Sequence, residues 1–277
     1  MHNTKIISAS IVLYSPDIEQ LKNVVVSFSP SMNRLLYLID NSPVKTDISS
    51  LLFEQSHIYY YFTGENKGYG AGHNIAIKMA MKNNTQYHIV LNPDLRFSSD
   101  IIPSLIMYME EHNDVVYMLP KVVYLDGTIQ YLCKLLPTPF DLIFRRFIPN
   151  TKFTQKLNDR YTLKKSGYNK IINPPCLSGC FMFLRMEAIK ENNIFFDERF
   201  FMYCEDFDFI RRLHRIGKTI FYPDVVIIHD HAKESYKSKK MMFEHIKSAI
   251  KYFNKWGWFF DKERKIMNKQ ILDEIIF

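Results

Sequence analysis

The chain has 277 residues, of which 47% are hydrophobic, and a formal net charge of +7. This length suits one large α/β domain or a domain with an appendage, and the hydrophobic fraction is that of a globular protein with a true core. No apolar run approaches the roughly 18 residues that a membrane-spanning helix needs, and the first residues lack a signal-peptide cleavage site. The four cysteines have neither CxxC nor zinc-ribbon spacing, so we expect a cytoplasmic protein with reduced thiols.

Residues 5–91 alternate β-rich runs with amphipathic stretches. This alternation predicts an α/β fold with a doubly wound, mostly parallel sheet that binds a nucleotide. Ser15 is expected to cap the first helix, with Pro16 at its first position. The predicted elements are strands at 5–13, 34–39, 58–62 and 87–91 and helices at 17–28 and 71–83.

The second half of the chain predicts further helices and strands around a long irregular segment. Asp126 and Gly127 favour a hairpin turn, and Gly217 is expected to end a helix. Residues 133–170 are aromatic, basic and poorly periodic, which predicts an irregular excursion over the functional side of the sheet. The predicted elements are helices at 100–112, 205–216 and 236–258 and strands at 115–124, 176–184, 219–222 and 225–228.

The strand predicted at 87–91 ends abruptly at Asn92, Pro93 and Asp94. Pro93 cannot donate a hydrogen bond to a sheet, so it stops the strand and leaves Asn92 and Asp94 at its carboxyl end. Ligands bind at the carboxyl ends of strands in open α/β sheets, and a carboxylate there can bind a divalent cation that carries a phosphate. An ordinary Asn-Pro-Asp turn is the alternative.

Two further stretches predict a nucleotide pocket. Asp40 follows the strand at 34–39, where a carboxylate can accept hydrogen bonds from a base or ribose; a turn-forming role is the alternative. Residues 64–74 contain four glycines within nine positions and lead into a helix whose free N–H groups can bind an anion. The stretch matches neither GxGxxG nor the Walker pattern, so a flexible connector remains the alternative.

Acidic residues crowd the start of the helix that begins near Glu205. Glu205, Asp206 and Asp208 lie among aromatic residues, and adjacent carboxylates in such surroundings can supply a general base of raised pKa. The helix dipole also favours acids in a first turn, which is the structural alternative. His229 follows a predicted strand and could bind a metal there, while Gly179 indicates the close approach of a ligand or another backbone.

The positive charge is concentrated in two regions. Residues 133–170 contain nine Lys or Arg and two acidic residues. Residues 232–277 contain eleven Lys or Arg and six acidic residues. A basic surface mixed with Phe, Tyr and Trp suits an anionic membrane face or an anionic ligand, and we find no recognised nucleic-acid module. The amphipathic helix at 236–258 is typical of an interfacial helix and equally of a helix that packs on its parent domain.

Together, four blocks of residues resemble the inverting nucleotide-sugar glycosyltransferases of family two, which have the GT-A fold. The likeness is greatest to bacterial rhamnosyltransferase-like enzymes of O-antigen (lipopolysaccharide) and capsule assembly. No block is specific alone, but the four occur in the family's order over about residues 6–231. The blocks are 11–14 with 40–42, then 66–74, 91–94, and 196–208 continued by Pro223, Asp224 and His229.

The resemblance implies a role for each matching residue. Asp206 matches the catalytic base, with Glu205 beside it. Asp94 matches the last carboxylate of the DXD metal motif, in which Asn92 here replaces the first Asp, and His229 matches a further metal or diphosphate contact. The implied cofactor is Mg²⁺ or Mn²⁺. The remaining matches are a nucleotide pocket of Tyr14, Asp40, Asn66, Gly68, Asn74 and Asn92 and a meeting point of donor sugar and acceptor at Ser178, Gly179 and Cys180.

The resemblance also implies a reaction and a location. The expected reaction moves rhamnose from dTDP-rhamnose to a hydroxyl of a lipid-linked oligosaccharide. The enzyme is expected to be cytoplasmic and bound peripherally to the anionic inner face of the cytoplasmic membrane, and no nucleic-acid partner is expected. A UDP-hexose transferase (galactose, glucose or GlcNAc) of the same fold, a sugar nucleotidyltransferase and a non-catalytic membrane-surface module are the alternatives. The expected domains are 1–231, with a nucleotide-sugar-binding half at 1–126 and an acceptor and catalytic half at 127–231, and a helical extension at 232–277.

Overall fold

The computed structural model describes residues 5–49, 51, 57–143, 148–149, 151–230 and 239–276. In these ranges the chain forms one eight-stranded sheet with helices packed against it. The strands are β1 Ile7–Leu13, β2 Arg34–Asp40, β3 Ile58–Phe62, β4 Tyr87–Leu91, β5 Leu95–Arg96, β6 Val115–Val123, β7 Phe181–Arg185 and β8 Lys218–His229. The helices are α1 Ile18–Phe28, α2 Tyr69–Lys82, α3 Ile101–Glu111, α4 Pro139–Leu142, α5 Lys152–Tyr161, α6 Met186–Glu191, α7 Glu205–Leu213, α8 Lys239–Trp256 and α9 Lys262–Ile276.

The strand order is β3-β2-β1-β4-β7-β6-β8-β5. The pairs β3-β2, β2-β1, β1-β4 and β6-β8 are parallel, whereas β7 runs antiparallel to both β4 and β6. The predicted α/β fold with a mostly parallel sheet is therefore confirmed. Because β7 is reversed, it begins at the edge where β4 and β8 end, and that edge collects the polar residues of interest.

The strands owe their positions to continuous apolar runs. All five residues of β4 are buried, which is expected for a central strand covered on both faces. The edge strand β3 instead alternates between half-buried and exposed residues. Both strands have the limits predicted from sequence.

Several local predictions were wrong. Asp17, and not Ser15, caps α1, because its Oδ1 accepts hydrogen bonds from the N–H groups of Glu19 (2.8 Å) and Gln20 (3.2 Å). The strand predicted at 176–184 begins only at Phe181, and the two short strands predicted between 219 and 228 are one strand with a register shift. The segment 133–170 contains α4 and α5, and helix α9 was missed.

The C-terminal helices pack on the domain. Ala249, Tyr252 and Phe253 of α8 form an apolar cluster with residues from three other stretches of the chain, namely Leu136, Leu142, Cys176, Phe200, Cys204 and Phe207. The sequence left two roles open for this helix, membrane binding and packing on the domain. In the structure the helix packs on the domain. The expected boundary at 231/232 lies outside the described residues, and within the described part of the chain no helix has the length and apolarity to cross a membrane.

A chain of polar side chains is buried between the sheet and α2. Thr85 Oγ1 donates to the carbonyl of Ala80, and Ser8 Oγ donates to Thr85 Oγ1 (both 3.2 Å). Ser8 Oγ then lies 2.7 Å from His88 Nδ1, and Ser10 Oγ links His88 Nε2 (2.8 Å) to His73 Nδ1 (2.7 Å). Because the carbonyl can only accept, each preceding group must donate in the same direction, which assigns the proton to Nδ1 of both histidines.

Candidate active site

Asn92, Asp94 and His229 meet at the carboxyl edge of the sheet, as their strand ends predict. Asn92 N–H donates to the Cys180 carbonyl (2.9 Å), which joins the end of β4 to the start of β7. Asp94 Oδ1 lies 3.2 Å from His229 Nε2 at the end of β8. Within the part of the chain that the structure describes, this carboxylate oxygen is buried and has no hydrogen bond of good geometry. A buried carboxylate oxygen beside a histidine nitrogen is suited to bind a cation.

Gln130 fixes the orientation of His229. Its Nε2 donates to the His229 carbonyl (2.7 Å), so its Oε1 is the atom that lies 3.0 Å from His229 Nδ1. Because Oε1 can only accept, Nδ1 must carry a proton. Although burial opposes it, Cys180 and the Asp94 carboxylate raise the pKa of His229 to about 10, so Nε2 also carries a proton, which faces Asp94 and which a bound cation would replace. Metal-binding histidines usually donate their second ring N–H to such a partner. Gln130 and His229 are both buried.

Tyr69 connects the start of α2 to both sides of the site. Its hydroxyl lies 2.9 Å from the Gly179 carbonyl and 3.0 Å from Asn92 Oδ1. A phenol has one proton and cannot donate to both oxygens. The conflict disappears when the Asn92 amide is turned over, because the oxygen and nitrogen ends of an amide have nearly the same shape. The amide nitrogen then donates to Tyr69, and the amide oxygen takes the position 3.4 Å from His229 Nε2.

The two adjacent acids at the start of α7 lie across Gly179 from the strand ends. A Cβ added to Gly179 would lie 3.0 Å from Asp206 Cβ and 3.7 Å from Asp206 Oδ2, so a larger residue there would press against Asp206. Glu205 is buried, and its Oε2 has no hydrogen-bond partner among the residues that the structure describes. Asp206 is partly exposed, and its Oδ1 accepts from the Phe207 N–H at 2.9 Å. Asp206 is therefore the acid that a ligand can reach.

The electrostatic surroundings also separate the two acids. Burial, followed by repulsion from Asp206, raises the pKa of Glu205 well above its ordinary value. Burial raises the pKa of Asp206 too, but the positive charge of Lys134 and the N–H groups of Phe207 and Gly179 oppose that rise. The pair therefore retains a proton on Glu205 more readily than on Asp206. Asp206 is the better candidate for a general base.

The glycines of the 64–74 stretch pack against protein. Gly68 has φ +87°, and the carbonyl of Phe201 occupies the space of its missing side chain. Gly70 and Gly72 are likewise approached by Phe196 and Val12. The sequence predicted that these glycines let a ligand approach the backbone closely, whereas in the structure other parts of the chain fill the space beside Gly68, Gly70 and Gly72. Asn66 is exposed, and its Oδ1 accepts from the Gly68 N–H (3.0 Å).

Other residues predicted to line the nucleotide pocket differ in exposure. Tyr14 is 56% exposed at the end of β1. Asp40 is fully buried, and its carboxylate accepts from the N–H groups of Ser42 and Thr46 and from the Tyr60 hydroxyl. The Asn74 amide is also buried and bonds to the 196–198 segment. In this conformation the polar atoms of Asp40 and Asn74 are engaged by the chain itself.

Three residues of the site were not predicted from the sequence. Tyr69 was part of the glycine-rich block but was given no role. Lys134 begins the basic segment at 133–170, and Gln130 follows the predicted turn at Asp126 and Gly127 without any motif. Tyr69 could have been found from its place before a helix in that block. Lys134 and Gln130 reach the site only through long-range folding, so the local sequence holds no signal for them.

The site residues fit a divalent cation only in part. Asp94 and His229 offer two donors of the types that Mg²⁺ or Mn²⁺ accepts, and the Asn92 oxygen offers a third after the amide is turned over. Among the described residues, no group of three His, Cys, Asp or Glu side chains is gathered for a metal. Remaining positions would have to be filled by a phosphate-bearing ligand or water, which is usual for Mg²⁺.

Comparison with known proteins agrees with this geometry. Residues 21–192, more than half of the chain, match the profile of the family described as "Glycosyl transferase family 2". The rhamnosyltransferase WbbL of Escherichia coli (strain K12) is 28% identical over 224 residues, which cover 76% of this chain and 80% of that protein.

Solved structures share the fold at low sequence identity. S. aureus TarS 1-349 in complex with UDP has a TM-score of 0.59 at 15% identity and covers 98% of this chain and 70% of that one. The mannosyltransferase PcManGT from Pyrobaculum calidifontis, in complex with GDP-Man and Mn²⁺, has a TM-score of 0.57 at 14% identity and covers 90% and 65%. The fold is GT-A, and the chain is a glycosyltransferase that belongs to glycosyl transferase family 2.

Proposed function

We propose that this chain is an inverting hexosyltransferase that moves rhamnose from dTDP-rhamnose to a hydroxyl of a lipid-linked oligosaccharide in cell-surface polysaccharide synthesis. The observation that carries the reaction is the position of Asp206, which is reachable and lies against Gly179, opposite the group formed by Asn92, Asp94 and His229. The choice of rhamnose is supported by the likeness to WbbL. A UDP-hexose would use the same site.

In the proposed reaction Asp206 acts as the general base. The acceptor hydroxyl gives its proton to Asp206 as its oxygen forms a bond to the anomeric carbon. The bond from that carbon to the diphosphate oxygen breaks, and the nucleoside diphosphate leaves with the electron pair. One base and attack opposite the leaving group give inversion. Glu205, which keeps its proton more readily, can donate a hydrogen bond beside the base.

We assign the residues at the strand ends to the diphosphate side of the site. Asp94 and His229 would hold Mg²⁺ or Mn²⁺, with Asn92 beside them and Gln130 orienting His229. When bound, the ion neutralises the charge that develops on the leaving diphosphate. Asn92 is a neutral ligand and therefore contributes less than Asp94.

The nucleotide is proposed to lie over the ends of β1 and β2 and the start of α2. Tyr14 and Asn66 have the exposure needed to contact it directly. Gly68, Asp40 and Asn74 are proposed to support the pocket, because Asp40 holds the turn at Ser42 and Thr46 while Asn74 holds the segment at 196–198. Ser178, Gly179 and Cys180 then lie between this pocket and Asp206, where donor sugar and acceptor are proposed to meet.

The surface of the C-terminal helices supports a membrane-bound acceptor. Phe259 and Phe260, in the turn between α8 and α9, are 73% and 92% exposed. Lys262 and Lys265 are exposed at the start of the next helix. We define these four residues as the aromatic–basic turn. Exposed aromatic side chains beside lysines suit the interface of an anionic membrane.

The test separates binding from transfer. Wild-type protein is screened with nucleotide sugars and Mg²⁺ or Mn²⁺, and the product is identified by mass and by the configuration at its anomeric carbon. Asp206→Asn should bind donor normally but lose transfer by about 10² to 10⁴-fold, the usual contribution of a general base. Glu205→Gln should lose less transfer. If Glu205→Gln lost transfer while Asp206→Asn kept it, Glu205 would be identified as the base.

A further inference from the structure

Two strained residues precede the catalytic acids. Tyr203 and Cys204 have φ of +65° and +63°, so both adopt the left-handed region that side chains other than glycine rarely occupy. They come directly before Glu205, and their conformation sets the direction in which α7 begins. Such consecutive residues keep this conformation only when the surrounding structure holds them.

Helix α8 holds the residues on the near side of this turn. Ser248 is buried, and its Oγ donates a 2.7 Å hydrogen bond to the carbonyl of Met202, the residue before the strained pair. The ring of Tyr203 packs edge-on against His245, with ring centres 5.3 Å apart. Cys204 lies in the apolar cluster with Ala249 and Phe253. One face of α8 therefore contacts each residue of the turn.

The C-terminal helices also hold the far side of α7. Asp208 accepts hydrogen bonds from Lys255 Nζ (2.5 Å) and Trp256 Nε1 (2.9 Å). Arg211 is almost fully buried and forms a two-point pair with Asp261 at 2.8 and 2.7 Å. Helix α7 is thus fixed to the C-terminal helices both before and after Asp206.

The same segment reaches the nucleotide side of the site. The Tyr69 N–H donates to the Phe201 carbonyl at 3.0 Å, and that carbonyl fills the space beside Gly68. Phe201 immediately precedes Met202, which Ser248 binds. A shift of the Met202 carbonyl would therefore move the start of α7 relative to the start of α2, and with it Asp206 relative to the proposed donor pocket.

We infer that Ser248 is a positioning residue for transfer, which acts by holding the Met202 carbonyl and through it the turn at Tyr203 and Cys204. This inference rests on the proposed role of Asp206 as base. Ser248 lies in a helix outside the part of the chain that matches the family profile. Its hydroxyl is expected to affect the rate of transfer, and not the binding of the donor.

The experiment compares three variants of the full chain. Ser248→Ala removes the hydroxyl, and Ser248→Thr keeps it. Thr162→Val is the matched control, because Thr162 is also buried and donates to a backbone carbonyl, that of Asn158, at 2.8 Å. For each variant we would measure kcat, the donor KM, the melting temperature and amide hydrogen exchange across residues 201–208.

We expect Ser248→Ala to lower kcat by about tenfold, because small displacements of a catalytic group cost rate steeply. Its donor KM should stay within about twofold of wild type, its exchange across 201–208 should be faster, and Ser248→Thr should restore both. Wild-type kcat and exchange in Ser248→Ala would overturn the inference. So would equal losses of kcat in Ser248→Ala and Thr162→Val. Amide exchange is measured without substrate, so it reports whether Ser248 holds the turn even if the proposed transferase activity is wrong. The two failures are therefore distinguishable.

Discussion

The two carboxylates at the start of α7 differ in the charges that surround them, and this difference predicts a pH dependence. Asp206 must be ionised to accept a proton, and burial raises its pKa while Lys134 lowers it. Transfer should therefore fall as the pH drops through the raised pKa of Asp206. In Lys134→Met that pKa rises further, so the acid limb of kcat/KM should move to higher pH.

The control for this prediction is Lys156→Met, which removes an exposed lysine of α5. It changes the net charge equally but should leave the acid limb in place. If the acid limb of kcat/KM stayed unchanged in Lys134→Met, the charge of Lys134 would not act on the group whose titration produces that limb.

A second residue-scale prediction concerns Gln130. Gln130→Met removes both hydrogen bonds that fix His229, so Nε2 should no longer be held toward Asp94. We expect Mn²⁺ to bind about 10 to 100-fold more weakly, the usual effect of losing such a partner. Free Mn²⁺ can be measured by electron paramagnetic resonance with nucleoside diphosphate present. Asp94→Ala should weaken Mn²⁺ binding more than Asn92→Ala does.

Asn268 offers a matched control for Gln130. Its amide also makes two hydrogen bonds to one backbone residue, donating to the Leu136 carbonyl (3.0 Å) and accepting from the Leu136 N–H (2.7 Å). Asn268→Leu should cost stability yet leave Mn²⁺ affinity unchanged. If Gln130→Met bound Mn²⁺ as tightly as wild type and Asn268→Leu do, the assignment of His229 as a metal ligand would be wrong.

At the scale of elements, local sequence was informative where one pattern decides the structure. Strands β3 and β4 were predicted with their observed limits, because apolar runs and Pro93 define them. Helix α9 was missed because its six apolar residues are only weakly separated from its charged ones around the helix, and among its described side chains Ile271 is the hydrophobic one that is buried. The edge of the sheet that gathers Asp94 and His229 was also predictable, because parallel strands end together.

Other parts of the site could not be predicted, since they depend on contacts between distant residues. Gln130 and His229 are 99 positions apart, and Arg211 and Asp261 are 50 apart. Neither pair has a local pattern. The burial of Asp40 and Asn74 likewise follows from how the loops close over them. The sequence resemblance predicted both residues in the pocket, but it could not show that their polar atoms are hydrogen-bonded within the chain.

The aromatic–basic turn predicts binding to a membrane surface. Full-length protein should sediment with anionic liposomes at low salt and be released at high salt, at about 1 kcal/mol per engaged lysine. The double variant Phe259→Ser, Phe260→Ser should bind more weakly at every salt concentration. Lys156→Met provides a charge control on a different surface. Equal recovery in the supernatant with and without anionic vesicles would exclude the surface as a membrane contact.

At the scale of the whole molecule, the buried chain from Thr85 to His73 predicts loss of stability in acid. Burial lowers the pKa of His88 to about 3, and burial followed by repulsion from His88 lowers that of His73 well below its ordinary value. Below about pH 6.5 the unfolded chain binds protons that the folded chain cannot. The free energy of unfolding should fall as the pH decreases from there, by about 1.4 kcal/mol per histidine for each pH unit.

The measurement is urea denaturation at about pH 7.5 and about pH 5.5, for wild type and His88→Gln. Glutamine can donate to Ser8 and accept from Ser10 without titrating, so the variant should lose about 1.4 kcal/mol less than wild type between the two conditions. The raised pKa of Glu205 acts in the opposite direction, because it favours the folded state at low pH. The difference between the two proteins cancels that contribution. Equal losses would show that His88 is not held neutral.

The contacts between α7 and the C-terminal helices have a consequence for the order in which the protein is made. The acids at 205–206 leave the ribosome well before Ser248, Trp256 and Asp261, which hold the helix that carries them. The sheet can begin to form during synthesis, because domains fold as their residues emerge. The contacts of α8 with the turn at Tyr203 and Cys204 can form only after that helix has emerged. A nascent chain should therefore acquire its strands early and its catalytic geometry only after α8 and α9 have emerged.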